Sequence, residues 1–200
     1  MPASRWFSMV LLVLAVAASG STSRAGEHAK AVFAGGCFWS MELAFEKVEG
    51  VVSATSGFSG GSLPNPTYEE VSAGRTGHAE SVEVVYDPVK VSYQTLLDHY
   101  WKNVDPFTAN AQFCDHGPQY RTVIFYGTEE EKRQAEASKR SIEQSKRFNK
   151  PIVTQIERAA QFYLAGDEHQ DFAARNPGQY KRYKVLCGRS DRLEELWGKS

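Results

Sequence analysis

The feature that most constrains the fold lies between Lys30 and Phe45, where a short apolar run breaks at Gly35-Gly36 and a new pattern starts at once. Phe38, Met41 or Glu42, and Phe45 then recur at helical spacing. Paired glycines allow the backbone to turn sharply, so the stretch reads as strand, tight turn and helix, with Cys37 at the start of the helix.

Similar alternation continues along the chain. Val51 to Gly61 reads as a strand and turn, and Leu63-Pro64-Asn65-Pro66 forces an extended loop into Thr67-Tyr68. From Ala79 to Tyr86 the residues Glu80, Val82, Val84 and Tyr86 share one strand face, and Asp87-Pro88 ends the strand. Ser92 caps a helix to about Lys102, a long irregular stretch runs from Val104 to Pro118, and Tyr120 to Tyr126 is a further strand. Thr128 and Glu131 form a capping box that opens a charged helix to about Phe148. Ile152 to Glu157 reads as the last strand, followed by a short helix near Glu168 to Ala174, a turn at Asn176-Pro177-Gly178, and helical character from Leu193 to Trp197. The expected class is α/β (α+β): a single two-layer domain with a mixed central sheet, flanking helices and an irregular C-terminal tail.

The 200 residues, 42% hydrophobic and 24% charged, suit one domain with a full core. A net charge of -1 with dispersed basic residues gives no footprint for nucleic acid. At the N-terminus, Arg5, the apolar run Met9 to Ala18 and small residues up to Ala25 have the layout of a secretory signal peptide over residues 1–25. The apolar run is about half of the roughly 20 residues a bilayer-crossing helix needs. The domain is therefore expected over 26–200, as an exported protein, periplasmic or secreted, with no stable membrane span after signal removal.

Three cysteines remain, Cys37, Cys114 and Cys187, and an odd number leaves at least one thiol outside any intramolecular pair. Only Cys114 and His116 are spaced as zinc ligands, so no metal site is expected. At a helix N-terminus Cys37 faces unpaired N–H groups and the positive dipole end, which favour the thiolate, although a buried apolar role is equally open on position alone. Glu80, if its strand face is buried, is kept protonated by desolvation and can act as a general acid. Tyr68 and Tyr120 add two hydroxyl donors at junctions between loops and elements.

The strings Gly35-Gly36-Cys37-Phe38-Trp39, Pro64-Asn65-Pro66-Thr67-Tyr68, Thr76-Gly77-His78-Ala79-Glu80 and Asp115-His116-Gly117 with Gln119-Tyr120-Arg121 follow one another in order. Together they resemble peptide methionine sulfoxide reductases of the A type, over about Ala31 to Asn176. The resemblance implies that Cys37 attacks the sulfoxide sulfur while protonated Glu80, Tyr68 and Tyr120 hold its oxygen. Phe38 and Trp39 would enclose the substrate methyl group and Asp115 would order the site. It further implies the S epimer of methionine sulfoxide, peptide-bound or free, as substrate, and a sulfenic acid on Cys37 resolved by Cys187 in the tail after about residue 177. The resulting Cys37–Cys187 disulfide would be recycled by a thioredoxin-like protein or another dithiol, with no prosthetic cofactor. The protein is expected to be a monomer. Cys114, in the active-site loop, is the alternative resolver. A competing reading makes Cys37 the nucleophile of a hydrolase or acyltransferase with His78 or His116 as base. A third is a redox or methionine-binding module without turnover.

Overall fold

The computed structural model describes residues 28–199, so the signal-peptide reading lies outside the described residues. In chain order the elements are β1 (Ala29–Gly35), α1 (Phe38–Glu46), β2 (Val51–Ser59), α2 (Tyr68–Ser72), β3 (Ala79–Tyr86), α3 (Tyr93–Lys102), a hairpin of β4 (Ala111–Gln112) and β5 (Asp115–His116), β6 (Thr122–Tyr126), α4 (Glu129–Gln144), β7 (Gln155–Arg158), β8 (Tyr163–Leu164), α5 (Phe172–Arg175), α6 (Pro177–Leu186) and α7 (Arg189–Trp197). Six strands form one sheet in the order β7-β6-β1-β3-β2-β8. Only β6 and β7 run parallel, so the sheet is mixed as expected. No helix among the described residues is long and apolar enough to cross a membrane.

Strand alternation divides the core in two. Phe33, Val82, Val84 and Ile124 point to the face that α1 and α3 cover with Phe38, Met41, Phe45, Leu96, Leu97 and Tyr100. Phe33 stacks on Phe45 at 5.0 Å and on Tyr100 at 5.3 Å, and the Tyr100 hydroxyl donates to the Ala34 carbonyl at 2.9 Å. That bond satisfies a polar group in the middle of the apolar layer. The opposite face carries only the small cluster of Ala34, Ala79, Val123 and Phe125.

Two segments are more regular than the sequence suggested. The stretch between Val104 and Pro118 contains the β4–β5 hairpin, with Phe113 in the left-handed region (φ 57°) at its turn. The tail, expected to be irregular, forms two helices. Asn176-Pro177 is a helix start rather than a turn, because proline at the first helical position lacks only an N–H that would have no partner there. Gly188 in the left-handed conformation (φ 61°) then separates α6 from α7. In the opposite sense, the charged helix α4 stops at Gln144, short of Phe148, with Lys146 in the left-handed region.

The turn at Gly35-Gly36 has the geometry its sequence demands. Gly36 has φ +80°, and a Cβ there would overlap the Gln112 side chain. We expect Gly36→Ala to lower the unfolding free energy by about 1–3 kcal/mol through left-handed strain alone, before any cost of displacing Gln112. Gly178→Ala in α6, where a Cβ meets nothing within 4 Å, should be neutral or slightly stabilising. Urea unfolding of both variants checks the contrast, and equal midpoints would contradict it.

Candidate active site

Cys37 is the N-cap residue of α1 and is buried, with 6% of its surface exposed. It is a free thiol. The antiparallel register of β1 and β3, which sets Ala34 opposite Ser81, brings the start of β3 beside this turn. Glu80 is consequently buried next to it, and its carboxyl accepts the Phe38 backbone N–H at 3.1 Å. Burial pushes Glu80 up to about 8, against a smaller lowering by the Phe38 bond. The protonated state expected for this residue therefore follows from desolvation.

The expectation for Cys37 is corrected. Burial pushes its thiol up to about 12, the Glu80 and Asp115 carboxylates add to the rise, and the nearby Tyr183 hydroxyl and Trp39 backbone only partly counter it. The helix N-terminus is present, but loss of water outweighs it. Burial thus favours the neutral form of both groups.

Three separate devices bring the phenols to the same place. Thr67 caps α2 through a reciprocal capping box with Glu70, which sets Tyr68 at the first helical position. Tyr120 ends a 3-10 turn over Pro118–Tyr120. That turn is tied to α2 by Gln119 Nε2 donating to the Ser72 carbonyl at 2.9 Å, and to the approach to β3 by Arg121 Nη2 donating to the Gly77 carbonyl at 3.1 Å. Burial raises the Tyr120 pKa, and the charges of Glu80, Tyr68, Asp115 and Cys37 all add to the rise. Burial raises Tyr68 as well, with Glu80, Cys37 and Asp115 adding to the rise against a lowering by the nearby Ser72 hydroxyl. Both phenols stay protonated and can donate.

Aromatic rings close one side. Phe38 is buried against Phe58 at 5.8 Å and Tyr68 at 6.3 Å. Trp39 stacks on Phe172 at 3.7 Å, and its indole N–H donates to His169 Nδ1 at 3.2 Å. Asp115 accepts the Tyr183 hydroxyl at 2.5 Å. Burial raises Asp115, while Tyr183 and the buried Arg189 guanidinium work against that rise. Glu80, Asp115, Tyr68 and Tyr120 thus share the surroundings of Cys37, with Phe38 and Trp39 following it directly in the chain. Tyr183 and Phe172 were not singled out from sequence, and His169 was noted only as a weak metal-ligand candidate beside Glu168 and Asp171; the one usable signal was that Tyr183 lies one helical turn before Cys187.

Cys187 is placed otherwise than expected. It is bonded to Cys114, with Cα atoms 4.7 Å apart, so the described state holds a Cys114–Cys187 disulfide in place of a Cys37–Cys187 one. The physical reason is the β4–β5 hairpin, which carries Cys114 to the end of α6, a proximity that a separation of 73 residues hid. The histidines offered as bases for Cys37 are otherwise engaged or exposed. His78 accepts from Gly61 N–H at 3.1 Å through Nδ1 and contacts the Leu63 carbonyl through Nε2 at 2.8 Å, while His116 is exposed on β5.

Known proteins share the sequence and the fold described above. Residues 29–200 match the family model described as peptide methionine sulfoxide reductase. The chain is similar to proteins named peptide methionine sulfoxide reductase MsrA from Streptococcus uberis and Streptococcus pyogenes, each 49% identical over 84% of this chain and 98% of the relative. Among solved structures it resembles reduced Mxr1 from Saccharomyces cerevisiae, with TM-score 0.71 and 28% identity over 76% of this chain and 87% of that one. It also resembles methionine sulfoxide reductase A of Corynebacterium diphtheriae, with TM-score 0.66 and 32% identity over 76% of this chain and 77% of that one.

A carboxyl whose folded pKa is raised contributes stability that is fully present below its usual titration range and is lost as pH rises through the folded value. For Glu80 that loss runs from its ordinary value of 4.5 and is complete near pH 8, and for Glu42, which burial pushes up to about 7, it is complete slightly earlier. The unfolding free energy should therefore decline from pH 5 to pH 9, and Glu80→Gln should flatten the upper part of the decline. An unchanged slope in chemical denaturation of Glu80→Gln would show that the carboxylate is already ionised at neutral pH.

Proposed function

The chain belongs to the peptide methionine sulfoxide reductase family, and on that premise we propose that it reduces the S epimer of methionine sulfoxide, in peptides or as the free amino acid, with Cys37 as nucleophile. The observation that carries the reading is the buried Glu80 carboxyl, raised to about 8 and fixed on the Phe38 N–H one residue from the nucleophile. A sulfoxide oxygen leaves sulfur only when it is protonated, and a neutral carboxylic acid in a dry site is the group to do it.

In the proposed reaction the Cys37 sulfur bonds to the sulfoxide sulfur as Glu80 gives its proton to the oxygen, with the Tyr68 and Tyr120 hydroxyls donating to the same oxygen. The thiol proton of Cys37 replaces the one Glu80 has lost. Transfer of the hydroxyl to Cys37 then gives methionine and a Cys37 sulfenic acid, so sulfoxide plus thiol is converted to thioether plus sulfenic acid with no proton gained or lost. Phe38 and Trp39 offer an apolar wall to the methyl group on the side away from the donors. Such handed placement of wall and donors discriminates between the sulfur epimers.

Cys187 is the proposed resolving thiol. It attacks the sulfenic sulfur, water leaves, and the disulfide so formed passes its oxidation to a thioredoxin-like protein or other dithiol. The hydrolase alternative is weaker, because the bonds of His78 and the exposure of His116 supply no base for Cys37. Export is also proposed, on the N-terminal sequence pattern alone.

Dithiothreitol-driven reduction of the two separate epimers of N-acetyl-methionine sulfoxide by residues 26–200 tests the reading. Only the S epimer should be consumed. Cys37→Ser should be inactive, and Glu80→Ala should lower kcat/KM by roughly 100-fold or more, the usual scale of a lost general acid. Turnover of the R epimer, or of neither, would refute the proposed substrate.

A further inference from the structure

Cys114 differs from Cys187 in one respect that decides which sulfur an outside thiol can reach. Cys114 is exposed at the turn of the β4–β5 hairpin, whereas Cys187 is buried, with 9% of its surface exposed, at the end of α6. Thiol exchange needs a thiolate to approach one sulfur from the side opposite its partner, so access selects the sulfur attacked. The surroundings of the disulfide are unusual for a soluble surface. Val185 and Leu186, which immediately precede Cys187, are 70% and 85% exposed, the largest values among the exposed large hydrophobic residues apart from Val89. Lys181, Arg182 and Lys184 are exposed on the same helix. An apolar step beside a reactive disulfide, bordered by positive charge, fits a partner with an apolar rim around its thiol and acidic groups outside it.

We propose that Cys114 is a third redox residue of this enzyme and the sulfur at which a protein dithiol of the thioredoxin class attacks, docking on Val185 and Leu186. The inference rests on the reductase reading, and it adds to the cycle a step and a contact surface.

The electrons balance as follows. Cys187 thiol and Cys37 sulfenic acid give a Cys37–Cys187 disulfide and water. Cys114 thiolate attacks the Cys187 sulfur, the Cys37–Cys187 bond breaks, and Cys37 thiolate leaves, which produces the pairing seen in the structure. The partner thiolate then attacks Cys114, expelling Cys187 as thiolate. The partner's second thiol attacks its own mixed-disulfide sulfur and releases Cys114. Two partner thiols become one disulfide, and their protons end on Cys114 and Cys187.

The helix geometry supports a Cys187 that serves both ends. Cys187 N–H bonds to the Tyr183 carbonyl at 2.9 Å, so the two residues lie one turn apart on one face of α6. Tyr183 already stands at Asp115 beside the nucleophile, while Cys187 stands at Cys114.

The test uses the wild-type chain carrying its Cys114–Cys187 disulfide and a thioredoxin whose second active-site cysteine is serine. Non-reducing peptide mass spectrometry should find the trapped mixed disulfide on Cys114. Linkage to Cys187 or Cys37, or no linkage at all, would overturn the proposal. In turnover, the ratio of thioredoxin-driven to dithiothreitol-driven rates should fall at least tenfold in Cys114→Ser, and several-fold in Val185→Ser/Leu186→Ser through a raised KM for thioredoxin. An unchanged ratio in both variants would also overturn it. Failure of the wild type to form methionine with dithiothreitol would instead refute the reductase reading, which keeps the two outcomes apart.

Discussion

The bond from Phe38 N–H to the buried Glu80 carboxyl is where sheet, helix and nucleophile share one position. Strand β3 sits between β1 and β2, and Glu80 lies opposite Phe58 in the β2 register, one step from the Gly35-Gly36 turn. A carboxyl this deep would be costly to ionise, and one backbone donor is too little to hold it charged. The fold therefore keeps an acid in its acid form by placing it behind the first turn of α1. The residues that bury it, Phe38 and Phe58, also make the aromatic wall of the pocket.

A second framework holds the loop that closes the other side. Buried Gln112 bonds the Asp105 backbone twice, accepting from its N–H at 2.9 Å and donating to its carbonyl at 2.6 Å. Its side chain fills the space left by the missing Cβ of Gly36. Tail helix α7 fastens to the same stretch, with Arg192 on Asp105 at 2.8 Å, Arg189 on the Asn103 carbonyl at 2.6 Å and Trp197 on the Val104 carbonyl at 3.0 Å. Loop, tail and disulfide are thus one assembly. Asp115 and Tyr183 belong to it, and both face Cys37.

The central elements were legible because each rests on a local rule. Alternation from Glu80 to Tyr86 put a carboxyl on the buried face, glycines marked the turn before Cys37, and the capping box at Thr128 opened α4, whereas the Thr67 box and α2 went unread in a stretch taken as loop. The tail was not legible for the same kind of reason. Its helix α6 shows no clear apolar stripe, since it covers the site with Tyr180 and Tyr183 and leaves Val185 and Leu186 in solvent. Asn176-Pro177 reads equally as a turn or a helix start, and only the bond of Tyr180 N–H to the Asn176 carbonyl decides it. The pairing of Cys114 with Cys187 depends on a hairpin of two-residue strands, which no periodicity announces.

The reversal at Cys37 shows which physical effect governs the nucleophile. A helix N-terminus stabilises a negative charge by typically 0.3–1 kcal/mol, less than the ~1.4 kcal/mol of one pKa unit. Burial acts in the other direction and more strongly, so Cys37 is held as a thiol at about 12. For a peptidase that would be a defect, because acyl chemistry needs a base to hold the thiol proton. Sulfoxide reduction differs, because the proton lost from sulfur and the proton gained by oxygen are equal in number. An acid that protonates the oxygen and is then reprotonated by the thiol closes the balance inside the pocket. Glu80, its carboxyl pushed up to about 8 beside Cys37, is the group proposed to meet that requirement without a histidine. In the proposed mechanism the same desolvation that makes Cys37 a poor free nucleophile would make Glu80 a competent acid, so that one burial event would set both halves of the chemistry.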